Sequence, residues 1–467
     1  MAAQTAPIIE ENAETQRLKN MARDHLWMPY QPPVPYESEG GPRVLVSAEG
    51  TWMVDSEGRR YLDGVSALEA CIAGHIRPEL ADVAYAQMQQ LEFLDVFRYA
   101  SPPAIELAAR LAEITPGSLS RVHYTPGGSE AVETAIKMAK QYHMIVRGDK
   151  KRYKVITREG AYHGCTFGAM AVDGEYFGTQ IHFYDPLPPF GRTSPAPYHY
   201  RCQHCSNEDA CHLQCVDDIE QVILREDSET VAAIIFDPCG TASSVSVPPD
   251  GYMQRVRALC DKYGILFIMD EIISGFGRTG KMFASEHWDI VPDIMTMSKG
   301  LSSGYMPIGA AIAKEEIAEA FMGHPQGSLS HGQTYGGHPV ACAVALANID
   351  LIEREDLPGQ AARKGEMLMD GLRGLSHHPS YGDVRGMGLL VGIEFVHDQA
   401  TKQLPPDPRK AGYYLRTICR DLGLISLTLH PGNVLFLAPP LTIREKEIEL
   451  MIGIVDQALS IYEERYL

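Results

Sequence analysis

Short apolar runs separated by amphipathic stretches mark the middle of the chain. From about Ile76 these runs are "VHYT", "YKVIT", "VAAIIF", "ILFIMD" and "DIMTM". Several are apolar on both faces, as in strands covered by helices on both sides. Strands alternating with helical patterns predict a doubly wound, mostly parallel α/β domain over residues 76–345. Upstream, "VLVSAEGTWMVDSEGRRYLD" alternates like a hairpin, with "SEG" at its turn. Downstream, "GLLVGIEFV" and "NVLFLAPPL" read as strands, and "REKEIELMIGIVDQALSIYEERY" has helical periodicity. A smaller α+β domain is therefore expected over 346–467, joined by the arm and hairpin of residues 1–75. The first twenty residues are polar and are expected to form a mobile arm.

Composition narrows the function. The chain has 467 residues, 45% hydrophobic and 22% charged, an ordinary globular balance. Its formal charge of −19 opposes binding to a phosphate backbone or an anionic membrane. No basic segment followed by an apolar one opens the chain, so no secretory signal is expected. No apolar run is long enough for a membrane span. The ten cysteines are scattered except within "CQHCSNEDACHLQC", which fits a reducing cytoplasm.

Ligands of open α/β sheets bind beyond the carboxyl ends of the strands. After "VHYT" comes "PGGSEAVETAIKMAK". Gly127 and Gly128 allow close backbone approach, and Ser129 is expected to cap a helix starting at Glu130. Such a turn suits a phosphate, and equally a plain capped helix. After "YKVIT", Tyr162 and His163 stand where an aromatic could stack on a bound ring, or simply be buried and hydrogen-bonded. After "ILFIM", Asp270 and Glu271 need a partner. A protonated ring nitrogen would serve, as would an N-cap or an ion pair with Arg278. After "DIMTM", Lys299 loses part of its hydration, which makes its amine more available as a nucleophile. A strand-end lysine reaching solvent is the plainer alternative. Together, a phosphate cradle, a ring stacker, a carboxylate and a Schiff-base lysine are the parts that hold pyridoxal phosphate.

With these residues in place, the sequence resembles the class III aminotransferases of PLP fold type I, from about Trp27 to the C-terminus. The most specific segment is "DEIISGFGRTGKMFASEHWDIVPDIMTMSKGLSSGYMPIGA", and "GSEAVETAIKMAK", "YHG", "PPDGY" and "HGQTYGGHPVACAVALA" match as well. The resemblance implies that Lys299 forms the Schiff base and moves the proton. It implies that Asp270 pairs with the pyridine nitrogen, and that Tyr162 and Ile272 cover the two ring faces. Ile272 stands where the family usually has valine. Gly128 and Ser129 would bind the phosphate. Thr334 would complete that site from a neighbouring subunit, which implies a homodimer with shared active sites, or a tetramer built from it. The implied reaction is a ping-pong transfer from an amine donor to a keto acid, most often pyruvate.

Three departures bear on the substrate. Asp237-Pro238 replaces the usual Glu-Pro, and Ala242 stands where ornithine- and GABA-type members carry a gating glutamate. "GLISLTLHPGNVLFLAPPL" has Leu427 in place of the usual carboxylate-binding arginine, which leaves Arg98 in "DVFRYASPP" as the candidate cation, or as a surface ion pair. Glu69 in "SALEACIAG" stands where amine transaminases often have an aromatic residue. It would meet a second positive group on the donor, or pair with a nearby arginine. Trp27 is a further candidate for the substrate wall, or a docking arm over the core. "SPPAIELAARLAEI", "EHWDIVPDI" and the "YRC" insertion resemble taurine–pyruvate and related ω-aminotransferases. Polyamines and bulky amino alcohols stay open as donors, as do decarboxylation, racemisation and aminomutase chemistry on the same cofactor. The spacing of Cys202, Cys205, Cys211 and Cys215 lacks the paired CxxC form of a strong zinc motif, so free thiols and no metal are expected.

Overall fold

The apolar runs become the centre of a seven-stranded sheet. The structure, a computed structural model, describes residues 13–30, 40–148, 150–174, 183–205 and 211–467. Residues 1–12 of the expected arm and residues 206–210 of the cysteine segment lie outside the described residues. The strands are β1 (Leu45–Glu49), β2 (Trp52–Asp55), β3 (Arg60–Asp63), β4 (Leu119–Thr125), β5 (Lys154–Arg158), β6 (Gly191–Ser194), β7 (Val231–Phe236), β8 (Leu266–Asp270), β9 (Ile294–Met297), β10 (Gly309–Lys314), β11 (Tyr381–Met387), β12 (Leu390–Phe395), β13 (Leu424–Ile425), β14 (Leu427–Leu429) and β15 (Val434–Leu437). The longer helices are α1 (Ala13–His25), α2 (Pro78–Gln90), α3 (Pro102–Ile114), α4 (Gly128–Arg147), α5 (Gln214–Arg225), α6 (Tyr252–Tyr263), α7 (Glu315–Met322), α8 (Pro339–Arg354), α9 (Leu357–Arg373), α10 (Pro408–Asp421) and α11 (Glu445–Tyr466).

The large sheet runs β4-β10-β9-β8-β7-β5-β6. Neighbours from β9 to β6 pair in parallel, and only β10 is reversed, antiparallel to both β4 and β9. The alternation of side chains explains the two-sided apolar runs. Val155, Ala233, Ile235 and Ile268 pack with Val132, Ala135 and Ala139 of α4. Ile156, Ile234, Phe236, Phe267 and Met269 pack with Val216, Ile219 and Ile223 of α5 and with Met253 and Val256 of α6. Each Val, Ile, Met or Phe among them contributes about 1.5–3 kcal/mol when fully buried. The topology brings the carboxyl ends of β4, β5, β7, β8 and β9 to one edge, where the site lies.

Two four-stranded sheets flank this core, ordered β1-β2-β3-β13 and β11-β12-β15-β14. The short strand β13 pairs in parallel with β3, Leu424 opposite Leu62 and Ile425 opposite Asp63. The N-terminal hairpin thus shares a sheet with a segment of the C-terminal part.

Three local expectations change, and two further strands appear. Residues from Ala13 form a helix, docked by Thr15 Oγ1 donating to Ser56 Oγ at 2.7 Å and by Lys19 pairing with Glu57 at 3.7 Å. The polar edge strand β6 and the alanine-rich β10 join the sheet without a strong apolar pattern of their own. Helix α4 starts at Gly128, with Gly127 at the N-cap and no side-chain cap, so Ser129 lies in its first turn. Arg278 does not pair with Asp270. It donates to the carbonyls of Leu389 (3.0 Å) and Pro439 (2.6 Å) and to Ser66 Oγ (2.8 Å).

One buried pair near β3 makes the fold sensitive to pH. His75 Nε2 meets Asp63 Oδ2 at 2.9 Å. Burial pulls the imidazole down, but hydrogen bonds with Asp63 and Cys71 outweigh it and hold His75 up at about 9. A raised histidine contributes stability that is full below its unfolded value of about 6.5 and lost as pH climbs through the folded value. His75→Gln is expected to cost at most about 3 kcal/mol near pH 6, with the deficit shrinking as pH rises past about 6.5 and largely gone above about pH 9, in urea unfolding of the two proteins across that range.

Candidate active site

Strand β4 ends at Thr125, and the chain turns through Gly127 and Gly128 into α4. The first-turn amides of a helix have no carbonyl partners within it and carry the positive end of its dipole. A Cβ at Gly128 would stand 2.9 Å from Ile272 Cδ1 and would push that side chain aside. Across the opening, Gly164 has a φ of +150°, and a Cβ there would meet Ser129 Oγ at 2.6 Å. Ser129 Oγ also accepts from the Cys165 amide at 3.1 Å. The result is a cradle of backbone amides and one hydroxyl, matched to a phosphate group.

Asp270 closes β8 and is buried. His163 Nδ1 lies 2.6 Å from its Oδ2. Thr296 Oγ1 and the Ile272 amide donate to its Oδ1 at 3.1 and 3.2 Å. The other ring nitrogen of His163 meets Thr157 Oγ1 at 3.2 Å, so the imidazole is held at both ends. Tyr162 precedes this histidine, and burial drives its hydroxyl well above the usual range.

Lys299 follows β9 in a left-handed conformation, φ 41°. Its turn is fastened by Asn348, whose Nδ2 donates to the carbonyls of Gly300 (2.9 Å) and Leu301 (3.0 Å). Lys299 Nζ donates to Glu69 Oε2 at 2.8 Å. Glu69 ends four successive left-handed residues: Ser66, Ala67, Leu68 and Glu69 have φ of 48°, 47°, 78° and 59°. Each such residue costs about 1–2 kcal/mol. The turn is held by Ser66 Oγ, which donates to the Ala438 carbonyl at 2.6 Å and accepts from Arg278. Burial lowers the Arg278 guanidinium to about 10, with Glu69 and Asp63 pulling the other way, so it stays a cation at neutral pH.

A cavity of about 130 Å³ is lined by Gly128, Ser129, Tyr162, Asp270, Ile272 and Lys299, all singled out in the sequence. His163, Gly164, Asp237 and Ile273 also line it. His163 was visible beside Tyr162 in "YHG", but its bond to Asp270 spans 107 positions and leaves no local signal. Asp237 accepts from the amides of Cys239 (3.1 Å) and Thr241 (2.6 Å). Burial pushes its carboxyl up, Arg158 pulls it down, and Asp270 adds to the rise. The remaining candidates stand apart from this lining. Thr334 is exposed, and Trp27 is 95% exposed. Arg98 forms an exposed pair with Asp95 at 2.9 Å. Leu427 lies in β14 and packs against the core that includes Phe236 and Phe436. Glu69 reaches the site through Lys299 alone.

The family description "Aminotransferase class-III" matches residues 36–459. The chain belongs to the class III aminotransferases. It is 41% identical to the crystal structure of a thermostable (S)-enantioselective omega-transaminase from Thermomicrobium roseum, with a TM-score of 0.90 over 97% of this chain and 99% of that one. An amine transaminase from an uncultivated Pseudomonas species, solved in its PLP-bound form, is 34% identical, with a TM-score of 0.89 over 94% and 98% of the two chains. The putrescine–pyruvate aminotransferase of Pseudomonas aeruginosa is 35% identical over 454 residues, 96% of this chain and 97% of that protein. The fold is PLP fold type I, and the enzyme depends on pyridoxal phosphate. The donor set fits that cofactor: amides for a phosphate, a buried carboxylate for a ring nitrogen, and an amine for a carbonyl.

Two substitutions test the arrangement around Asp270. Asp270→Asn is expected to lower kcat about 10²–10³-fold, the size of loss seen when one preorganised electrostatic partner of the reacting group is removed. His163→Leu is expected to fall between this variant and the unmodified enzyme, because the carboxylate keeps the Thr296 and Ile272 donors. Steady-state kinetics, with cofactor absorbance as a control for loading, check both.

Proposed function

We propose that this enzyme moves an amino group from an ω-amino compound or other primary amine to a keto acid, pyruvate foremost, by a ping-pong mechanism. The carrying observation is the lining of the cavity. Among the described residues around it, Lys299 is the only Lys or Arg, so the lining itself holds no fixed cation for a carboxylate, and that of the keto acid must be met from outside it. An ω-amine needs no such cation. The name of the P. aeruginosa relative couples an amine of this class to pyruvate.

When bound, pyridoxal phosphate supplies a carbonyl that takes the donor's nitrogen and a ring that accepts the electron pair left as a proton departs. Lys299 holds the cofactor and carries that proton. Asp270 keeps a positive charge on the ring nitrogen, and His163 orients Asp270. Tyr162 and Ile272 would cover the ring faces, while Gly128 and Ser129 would hold the phosphate. Thr334 completes the phosphate site of a second copy in a homodimer, which accords with its exposure here. Arg98, free to swing from its exposed pair with Asp95, meets the carboxylate of the keto acid. Ten free thiols support a reducing, cytoplasmic setting.

Glu69 favours a polyamine among the donors. A buried carboxylate needs a cation. Once Lys299 Nζ is committed to the cofactor, Glu69 keeps only the field of Arg278 and offers its oxygens to a second ammonium on the substrate. No helix among the described residues is long and apolar enough to cross a membrane.

Mixing the PLP form with taurine, β-alanine, putrescine, a chiral arylamine and a long-chain amino alcohol tests the reading. At least one is expected to convert the cofactor absorbance to that of the pyridoxamine form, and pyruvate to restore it. Turnover without an acceptor, and no conversion by any amine, would favour a decarboxylase, racemase or aminomutase. Glu69→Leu is expected to raise KM for putrescine about 10–100-fold, the worth of a charged hydrogen bond, and to affect a monoamine less.

A further inference from the structure

Away from the active site, one group of side chains is arranged as metal ligands are. Helix α9 ends at Arg373, and the connection to β11 carries His377 and His378 against the last helix, α11. There, one ligand atom from each of His377, His378 and Asp456 lies within 4.8 Å of the other two. His378 Nε2 is 2.8 Å from Asp456 Oδ1, and His377 Nε2 is 3.7 Å from the same oxygen. The longer distance is beyond a hydrogen bond. It is near the separation of about 3.3 Å between two ligands of a tetrahedral ion with bonds of about 2.05 Å. The shorter one reaches that value by opening about half an ångström.

The far ring nitrogens are already engaged, and this sets the tautomers. His378 Nδ1 meets Glu463 Oε2 at 2.9 Å, and His377 Nδ1 meets the Gly374 carbonyl at 3.3 Å. With a proton on each Nδ1, both Nε2 atoms turn lone pairs toward Asp456. Ligating histidines donate their other N–H to a carboxylate or a carbonyl in just this manner. Glu463 is itself held by Ser380, whose amide and hydroxyl donate to its Oε1 at 3.0 and 2.5 Å. The inner half of the group is therefore fixed, with His378 only 4% exposed. The outer half is open, since the His377 and Asp456 side chains reach solvent.

We propose that His377, His378 and Asp456 bind a divalent transition metal, zinc foremost, which ties the α9–β11 connection to α11. Two neutral imidazoles and a carboxylate suit zinc, and the open side leaves its fourth position to water. Charge favours the ion as well. A dication balances both carboxylates at the group, Asp456 and Glu463. A proton shared between His378 and Asp456 balances one of them and gives His377 no part. Binding forms two Zn–N bonds and one Zn–O bond and releases to solvent any proton held on either Nε2.

The test uses the holoenzyme made without a polyhistidine tag, titrated with zinc chloride and separately with cobalt chloride. Calorimetry is expected to find a micromolar zinc site that is lost in the variants below. Bound cobalt is expected to show d–d bands without a thiolate charge-transfer band, which tells this group from any metal held by cysteines. His377→Gln and Asp456→Asn are each expected to weaken zinc binding more than about tenfold, and Glu463→Gln about 10–100-fold, with PLP absorbance and transamination unchanged. Should Asp456→Asn disturb α11, His377→Gln decides, because that side chain is 66% exposed and is bonded only to the Gly374 carbonyl. Zinc binding that is unchanged in His377→Gln, an adventitious ion only, would overturn the proposal. So would a zinc dissociation constant in the millimolar range for the unmodified enzyme.

Discussion

A carboxylate taken out of water at the centre of a parallel sheet must be matched on every side, and the candidate site is organised around how Asp270 is matched. Three strands supply the match. β8 carries Asp270 itself, β9 carries Thr296 in register beside it, and β5 carries Thr157, which holds the far side of His163. The pairing of Asp270 with Thr296 depends on strand register. A slip of one residue would offer Met295 or Met297 instead, removing a donor and pointing neighbouring side chains to the other face. The apolar residues that lock the register are therefore as much a part of the site as the polar ones. Ile268 and Met269, on opposite faces, lie in separate cores and fix β8 from both sides.

A second constraint links the two ends of the chain to the reactive lysine. The left-handed turn from Ser66 to Glu69 is costly, and no glycine relieves it. It persists because Arg278 ties Ser66 to Leu389 and Pro439, backbone from after residue 345, and because Ser66 reaches the Ala438 carbonyl. Strain of this kind collects where a side chain must be aimed. Here it aims Glu69 at Lys299, itself left-handed at the end of β9. The arginine expected to neutralise a carboxylate by direct pairing instead acts on backbone geometry, and its charge reaches Glu69 and Asp63 only as a field.

These differences show which information is local in a sequence. The two-faced apolar runs gave β5, β7, β8 and β9 away, since burial on both sides leaves mostly apolar positions, with the few polar ones near the strand ends or turned to the site. The cavity-lining residues follow those runs directly, and so Gly128, Tyr162, Asp270 and Lys299 could be read in order. Helix α1 could not, because its docking rests on Thr15 and Lys19 rather than on an apolar stripe. The edge strand β6 reads "GRTS", which carries no strand signal without its neighbour β5. The bonds from His163 to Asp270 and from Glu69 to Lys299 cross 107 and 230 positions, and only the folded chain brings them together.

The surface around Thr334 argues that completing the site and covering apolar surface are one event. Tyr335 is 61% exposed, and its ring lies 5.7 Å from that of Phe93. Phe97 and Tyr99, in the segment that carries Arg98, are each 68% exposed, and Phe97 is close enough to Gly332 that a Cβ there would stand 2.6 Å from its ring. Rings clustered on a surface in this way lower their free energy when another surface covers them. In the proposed dimer the covering surface would belong to a second copy, so the force that removes these rings from water would also deliver Thr334 to a phosphate cradle. Cofactor binding and assembly would then stabilise each other: a ligand held by two subunits strengthens their association, and association strengthens its binding by the same factor.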